Sequence, residues 1–410
     1  MTGRLPGPAH RAEHVAWLLR SMLSIPSVSG HERQLAGFLV EQMERLGMEA
    51  HVDEVGNAHG AAGPRDAPTV LLLGHIDTVP GVVPVCRVGD LLYGRGAVDA
   101  KGPMAAMIVA AARAEHVRAV VVGAVAEEVP GSRGTRHLLR TLPRPDAVLI
   151  GEPSGWDGIC LGYKGRVGVD FDVTRPTTHT SSPERTAVEV AVEFCALVRE
   201  YLRAHSASDD PVAFGAAAGT LVRLEGDLSR ARASLTCRVP DGFDFDDFER
   251  HLRGRGGGTV TFDERVPAVR RPAGDPVARA LRAAVKAHGG EPRLKLKAGT
   301  SDMNVAAEWG VPMAAYGPGD SHLDHTSDEH VVLPELARSV EVLDTALARL
   351  GSLLRAPRPV VRPAPAGVDR GPADRPLPAL AGAAAALGHA WPDGPADTGA
   401  REHPAVRLAR

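Results

Sequence analysis

The sequence predicts an α/β fold: a mostly parallel sheet flanked by helices, with a smaller α+β split βαβ unit inserted into it. Three observations lead there. Short, unbroken apolar runs alternate with helical patterns in both halves of the chain. The middle shows a strand, helix, strand, strand, helix, strand order in which apolar residues alternate along the first strand. The length, 410 residues, exceeds that of a usual single domain and favours two.

The elements follow in order. Val15, Leu18, Leu19, Met22 and Leu23 recur at helical spacing and predict a helix over His10–Leu23. Leu35, Phe38, Leu39, Met43 and Leu46 do the same for His31–Leu46, which Gly47 ends. Buried strands are predicted at Thr69–Leu73, Val120–Ala126, Ala147–Ile150 and Pro312–Tyr316, with helices at Pro103–Ala114 and Arg133–Leu142 between them. Val167–Thr174 reads as a half-exposed strand and Thr186–Leu202 as an amphipathic helix carrying Val190, Phe194 and Leu197 on one side. Strands at Thr220–Leu224 and Ala233–Val239, a helix at Phe245–Leu252 and a strand at Val260–Phe262 complete the insertion. Helices Val277–His288 and Leu333–Leu354 resume the first pattern. Residues 1–164 and 275–355 are thus expected to form one domain and 165–274 the other. The Pro- and Ala-rich segment 356–410 is expected to be mostly disordered, with Ala379–Leu387 able to flicker as helix.

Composition excludes several functions. Hydrophobic residues make up 44% and charged residues 24%, an ordinary globular balance. A net charge of -3 and 4% aromatics supply neither a broad cationic face nor stacking platforms, so neither nucleic acid nor membrane is expected as a partner. Cys86, Cys160, Cys195 and Cys237 form no CxxC pair, which argues against a disulfide framework or thiolate metal site and fits a reducing cytoplasm. No secretory leader and no apolar run of membrane-spanning length is visible.

The chemistry gathers where apolar strands stop. Thr69–Leu73 runs into Gly74-His75-Ile76-Asp77, Val120–Ala126 into Glu127-Glu128, and Ala147–Ile150 into Gly151-Glu152-Pro153. Pro312–Tyr316 runs into Gly317-Pro318-Gly319-Asp320, with Asp324-His325 soon after. The carboxyl ends of parallel strands border the functional crevice, so these motifs converge there. Each has a plainer reading. Asp99 suits an N-cap for the helix that follows, Glu152 a turn, and His325 competes with His322 and His330. Glu127 and Glu128, side by side after a buried strand, repel each other and lose hydration unless cations offset the cost. Taken together, two histidines and four carboxylates form an oxygen-rich site that suits zinc, cobalt or manganese. Five ligands exceed one open catalytic ion and suit two, sharing a bridging carboxylate; the sixth group, an acid, remains as a base.

The motifs GHIDTVPG, YGRGAVDAKGP, AVAEEVPGSRG, IGEPSG and GTSDMN…YGPGDSHLDHT resemble the co-catalytic zinc family that includes acetylornithine deacetylase, succinyl-diaminopimelate desuccinylase, aminoacylase and glutamate carboxypeptidase. The likeness spans roughly residues 10–355 and implies a zinc-exopeptidase-like catalytic domain with an inserted lid and dimerisation domain. It implies that Asp99 bridges two zinc ions, cobalt being an alternative, with His75 and Glu152 on one ion and Glu128 and His325 on the other. Glu127 would be the general base and Asp77 would orient His75. The peptide after Asp99 is often cis in this family. His179 would stabilise the oxyanion from the other subunit of a homodimer. Arg238, with Gly299, Thr300 and Ser301, would hold a substrate carboxylate; Lys297 and Asn304 are further candidates. Two departures stand out: an extra Thr180 after the lid histidine, and His322 beside the presumed ligand.

Within the family, VDAKGP, GTSDMN and Gly162–Arg166 (GYKGR) are most similar to the hydrolases of carrier-linked lysine and ornithine in lysine and arginine biosynthesis. The partner implied is a small acidic amino-group carrier protein of LysW type, whose C-terminal glutamate bears the amino acid. Alternatives on the same fold are an N-acyl amino acid deacylase, a dipeptidase or carboxypeptidase, and a non-catalytic binder of amino-acid derivatives.

Overall fold

The apolar run Val70–Leu73 forms the middle of a strand, Thr69–His75, that is buried on both faces. In this computed structural model, which describes residues 8–177 and 179–355, that strand lies between Arg118–Ala124 and Ala147–Gly151 and runs parallel to both. Met313–Ala315 continues the parallel set beyond Ala147–Gly151. Side chains alternate across a strand, so a doubly covered sheet needs two cores. Val70 and Leu72 enter one with Leu19, Leu39, Ile108, Leu281 and Leu343. Leu71 and Leu73 enter the opposite one with Leu138, Met303 and Trp309. Helices Pro8–Leu23, Arg33–Arg45, Lys101–Ala111, Pro276–Ala287 and Leu333–Arg355 supply the first core, and Arg133–Thr141 and the short Asp302–Ala306 the second. Every residue of Lys101–Ala111 is buried, which is why its sequence after Lys101 is apolar all round.

The sheet is wider than the apolar runs predict. Glu49–Val52 and Ala58–Ala62 add an antiparallel hairpin on the Arg118–Ala124 edge. Its strands, EAHV and AHGAA, have no β-branched run, and an aspartate shapes the turn: Asp53 Oδ1 accepts from the N–H groups of Val55, Gly56 and Asn57. At the far end, Gly158–Tyr163 carries Val269–Arg270 and Arg293–Lys297. A separate three-stranded sheet joins Cys86–Val88, Leu91–Tyr93 and His330–Val332.

The inserted pattern also has its own sheet. Gly165–Thr174 pairs antiparallel with Arg230–Val239 on one side and Thr259–Phe262 on the other, and Ala218–Gly226 forms the edge. Val167, Val169, Phe171 and Val173 point into a core shared with Val190, Phe194 and Val198 of helix Ala187–Ala204. Thr186 and Glu189 close that helix's start with a reciprocal capping box. Helix Phe245–Leu252 packs Phe248 and Leu252 into the same core.

The Pro- and Ala-rich segment from Ala356 onward lies outside the described residues. Among the described residues no helix is long and apolar enough to cross a membrane. One sequence alternative does not hold: the helix expected from Pro103 begins at Lys101 with Ala100 at its N-cap, so Asp99 caps nothing.

Candidate metal centre

Five segments bring the chemistry to one end of the parallel strands. His75 is the last residue of its strand, and Glu152 follows directly after Ala147–Gly151. Glu127 and Glu128 follow Ala126, which takes a left-handed φ of 59° and turns the chain sharply after its strand. His325 takes a φ of 63° in the loop after Met313–Ala315. A side chain held there costs about 1–3 kcal/mol, and such strain gathers at functional sites. Asp99 arrives on the Gly94–Ala100 loop, and the Asp99–Ala100 peptide is cis.

Asp99 stands between the two histidines. Its Oδ1 lies 3.1 Å from His75 Nε2 and its Oδ2 3.1 Å from His325 Nε2. Glu152 Oε1 is 4.0 Å from His75 Nε2, and Glu128 Oε1 is 2.9 Å from His325 Nε2. Two triads result, His75–Asp99–Glu152 and Asp99–Glu128–His325, each with ligand atoms within 4.8 Å of one another. Of the three competing histidines, only His325 joins such a group among the described residues. His322 is exposed and pairs with Asp320, while His330 Nδ1 meets the Asp328 carbonyl and its ring lies against Tyr93.

The electrostatics fit cations. Burial and the neighbouring carboxylates of Asp302, Glu152 and Glu128 hold the Glu127 carboxyl well above the usual range, although His75 opposes them. Burial and Asp99 push Glu152 up to about 8. Asp99 and Glu128 raise His325 to about 10. Burial alone would lower His75, yet Asp77 and Asp99 raise it well above its ordinary value. Oxygen and imidazole donors around a carboxylate that faces two ways suit two divalent ions and no thiolate-selective metal.

Asp77, expected to orient His75, also contacts other segments. His75 Nδ1 is 3.1 Å from the Asp77 carbonyl and 3.6 Å from its Oδ1. The Asp77 carboxylate also accepts the N–H groups of Glu127 and Glu128, at 3.0 and 3.1 Å, and the Ser29 hydroxyl at 2.7 Å. Fully buried, it ties the first histidine to the two glutamates.

A cavity of about 740 Å³ opens beside the triads. Arg238, Gly299, Thr300, Ser301 and Lys297 line it, and Arg238 Nη1 donates to Thr300 Oγ1 at 2.8 Å. The Ser301 hydroxyl is already engaged, accepting from the Met303 N–H as a helix cap. Asn304 is not a lining residue: its amide donates to the carbonyls of Lys164 and Pro267 and fastens the loop. His179 does not line the cavity of this chain; it is exposed, with Nδ1 2.8 Å from Ser181 Oγ.

Several supporting residues were invisible to spacing and pattern. Glu32 is buried and accepts the Ala126 N–H at 3.1 Å. Lys101 Nζ is buried and donates to the carbonyls of Met22 and Ile25 at 3.1 and 3.0 Å. Glu329, also buried, accepts from the loop that carries Asp99. In sequence each looks like a solvated charge, because most of its partners are backbone groups brought by the fold.

Known proteins share this plan. The profile of peptidase family M20/M25/M40 matches residues 71–349. A [LysW]-lysine hydrolase of Deinococcus radiodurans is 42% identical over 361 residues, 84% of this chain and 99% of that protein. An M20 family metallo-carboxypeptidase from Sulfolobus solfataricus superposes with a TM-score of 0.70 at 19% identity, covering 82% of this chain and 99% of that one. A dinuclear metal-binding peptidase of the M20 family from Bacillus subtilis superposes at 0.60 and 13% identity, covering 83% of this chain and 98% of that one. The chain belongs to peptidase family M20/M25/M40, and with it to the metal-dependent hydrolases of amide bonds.

Proposed function

We propose that this chain releases lysine, ornithine or both from the C-terminal glutamate of a small acidic carrier protein of LysW type, a cytoplasmic step in lysine or arginine biosynthesis. The observation that carries the chemistry is Asp99 set between two ligand triads, with Glu127 beside them. The named relative at 42% identity supports the substrate.

His75, Asp99 and Glu152 would hold one zinc ion and Asp99, Glu128 and His325 the other, with cobalt able to replace zinc. When bound, the pair would polarise the scissile carbonyl and acidify a water molecule. Glu127 takes the proton of the attacking water and passes it to the departing amine. Arg238 and Thr300 hold the carboxylate of the amino acid being released. His179 acts from the partner of a homodimer, with residues 165–274 as the lid that carries it, donating to the developing oxyanion.

The test supplies zinc-loaded protein with carrier-linked lysine, carrier-linked ornithine, acetylornithine, succinyl-diaminopimelate and dipeptides, and follows amine release by mass spectrometry. Release from the carrier-linked substrates is expected. Release from dipeptides or free N-acyl amino acids alone would overturn the biosynthetic assignment and leave a peptidase or deacylase.

A further inference from the structure

Glu329 lies four residues after His325, yet its carboxylate is spent on the loop that carries Asp99. Oε1 accepts the N–H groups of Val98 and Asp99 at 3.0 and 3.2 Å. Oε2 accepts the Gly96 N–H at 3.0 Å and Arg95 Nη1 at 2.7 Å. The Glu329 carbonyl takes a further bond from the Gly94 N–H at 3.2 Å. Immediately beyond, His330 pairs with Tyr93 in the small antiparallel sheet. The side chain is 1% exposed, so water cannot replace these partners.

The arrangement calls for a carboxylate specifically. Both oxygens face N–H donors, and each takes two bonds. Glutamine would turn an NH2 group toward one pair of donors and leave that pair unsatisfied. Buried acceptors of this kind fix a loop more firmly than packing, because losing one strands several donors at once.

We propose that Glu329 is a positioning residue that locks the loop carrying Asp99 to the segment carrying His325, and so sets the affinity of the Asp99–Glu128–His325 triad for its ion. The inference rests on the two-ion assignment above. His75 ends one strand and Glu152 follows another, and neither bonds to Glu329, so the ion they share with Asp99 depends on it less.

The experiment uses full-length wild type, E329Q, E329D and H325A, stripped with chelator and titrated with Co2+. Visible absorption and elemental analysis follow binding, and unfolding of the metal-free proteins is measured in parallel. Wild type should take two equivalents. E329Q should bind the ion of the Asp99–Glu128–His325 triad about 10–100-fold more weakly, the usual scale for a residue that orients a ligand, and the other ion with a distinctly smaller loss. E329D, which keeps two acceptor oxygens, should recover part of that loss. Adding E329Q to H325A should change nothing further in metal binding. Two equivalents bound by E329Q with wild-type affinity, or equal weakening of both, would overturn the proposal. A purely structural role would destabilise the metal-free protein without altering the ratio of the two affinities, and that also overturns it. Should E329Q not fold, E329D decides between the same outcomes. Fewer than two equivalents in wild type would instead refute the two-ion assignment.

Discussion

Arg238 reaches from the inserted sheet to Thr300 on the loop of the larger one, donating through Nη1 to Oγ1 at 2.8 Å. Among the described residues it has no carboxylate within ion-pair distance, whereas the neighbouring Arg166 is paired with Asp263. Burial and the Arg166 charge hold its pKa below the usual guanidinium value. A half-buried guanidinium in a cavity, hydrogen-bonded to a threonine and to no carboxylate, is a poor structural element and a good anion receptor. R238A should therefore raise KM about 10–100-fold with a smaller change in kcat, and R238K should not restore it. Steady-state kinetics decide; an unchanged KM would remove Arg238 from substrate binding.

Burial and surrounding acids hold the Glu127 carboxyl well above its usual range, and Glu127 belongs to neither ligand triad. E127Q keeps the shape and both triads but cannot accept a proton. Turnover should fall about 10²–10⁴-fold, the usual contribution of a general base, while metal analysis still finds two ions. Full activity in E127Q would end its assignment as the base.

Loading the site should release protons. Asp99 and Glu128 hold His325 up to about 10, and burial with Asp99 holds Glu152 up to about 8, so at pH 7 both carry a proton that a ligand must lose. His75 and Glu127 are raised as well. Calorimetric titration with Zn2+ in buffers of differing ionisation enthalpy should reveal release of about two or more protons per chain, with affinity rising toward alkaline pH. Binding without proton release would contradict the geometry.

Asp344 offers a stability test away from the site. Burial pushes its carboxyl up to about 6; Arg113 Nε, 3.4 Å from Oδ2, only partly offsets this, and Oδ1 has no hydrogen-bond partner among the described residues. The folded state thus holds this proton more tightly than the unfolded chain does. Its stabilising effect is complete below pH 4 and is lost as pH rises through about 6. D344N should abolish that loss and raise stability at pH 7 relative to wild type by on the order of 2 kcal/mol. Urea unfolding at pH 4.5 and 7.5 would show it; a D344N protein less stable than wild type at both would refute it.

Much of the framework was legible from local pattern. The four parallel strands, the long helices and the β-α-β-β-α-β insertion fall close to their expected places because burial on one or both faces imprints a period on the chain. The outer strands were not. Ala58–Ala62 and Arg293–Lys297 lie at or near sheet edges, where short, small or charged residues suffice and no period is needed.

The sequence by itself determined the kind of chemistry: apolar strands that stop in His75, Glu127, Glu128 and Glu152 can only place those groups along one crevice. Spacing left His325, His322 and His330 in competition until the resemblance singled out His325; tertiary structure alone decided that the Asp77 carboxylate holds the backbone of both glutamates and that Glu329 grips a loop 230 residues before it. The reason is range. Hydrophobic periodicity reports how each residue meets its near neighbours, whereas a hydrogen bond to a backbone N–H depends on where a distant loop comes to rest and leaves no mark in side-chain order.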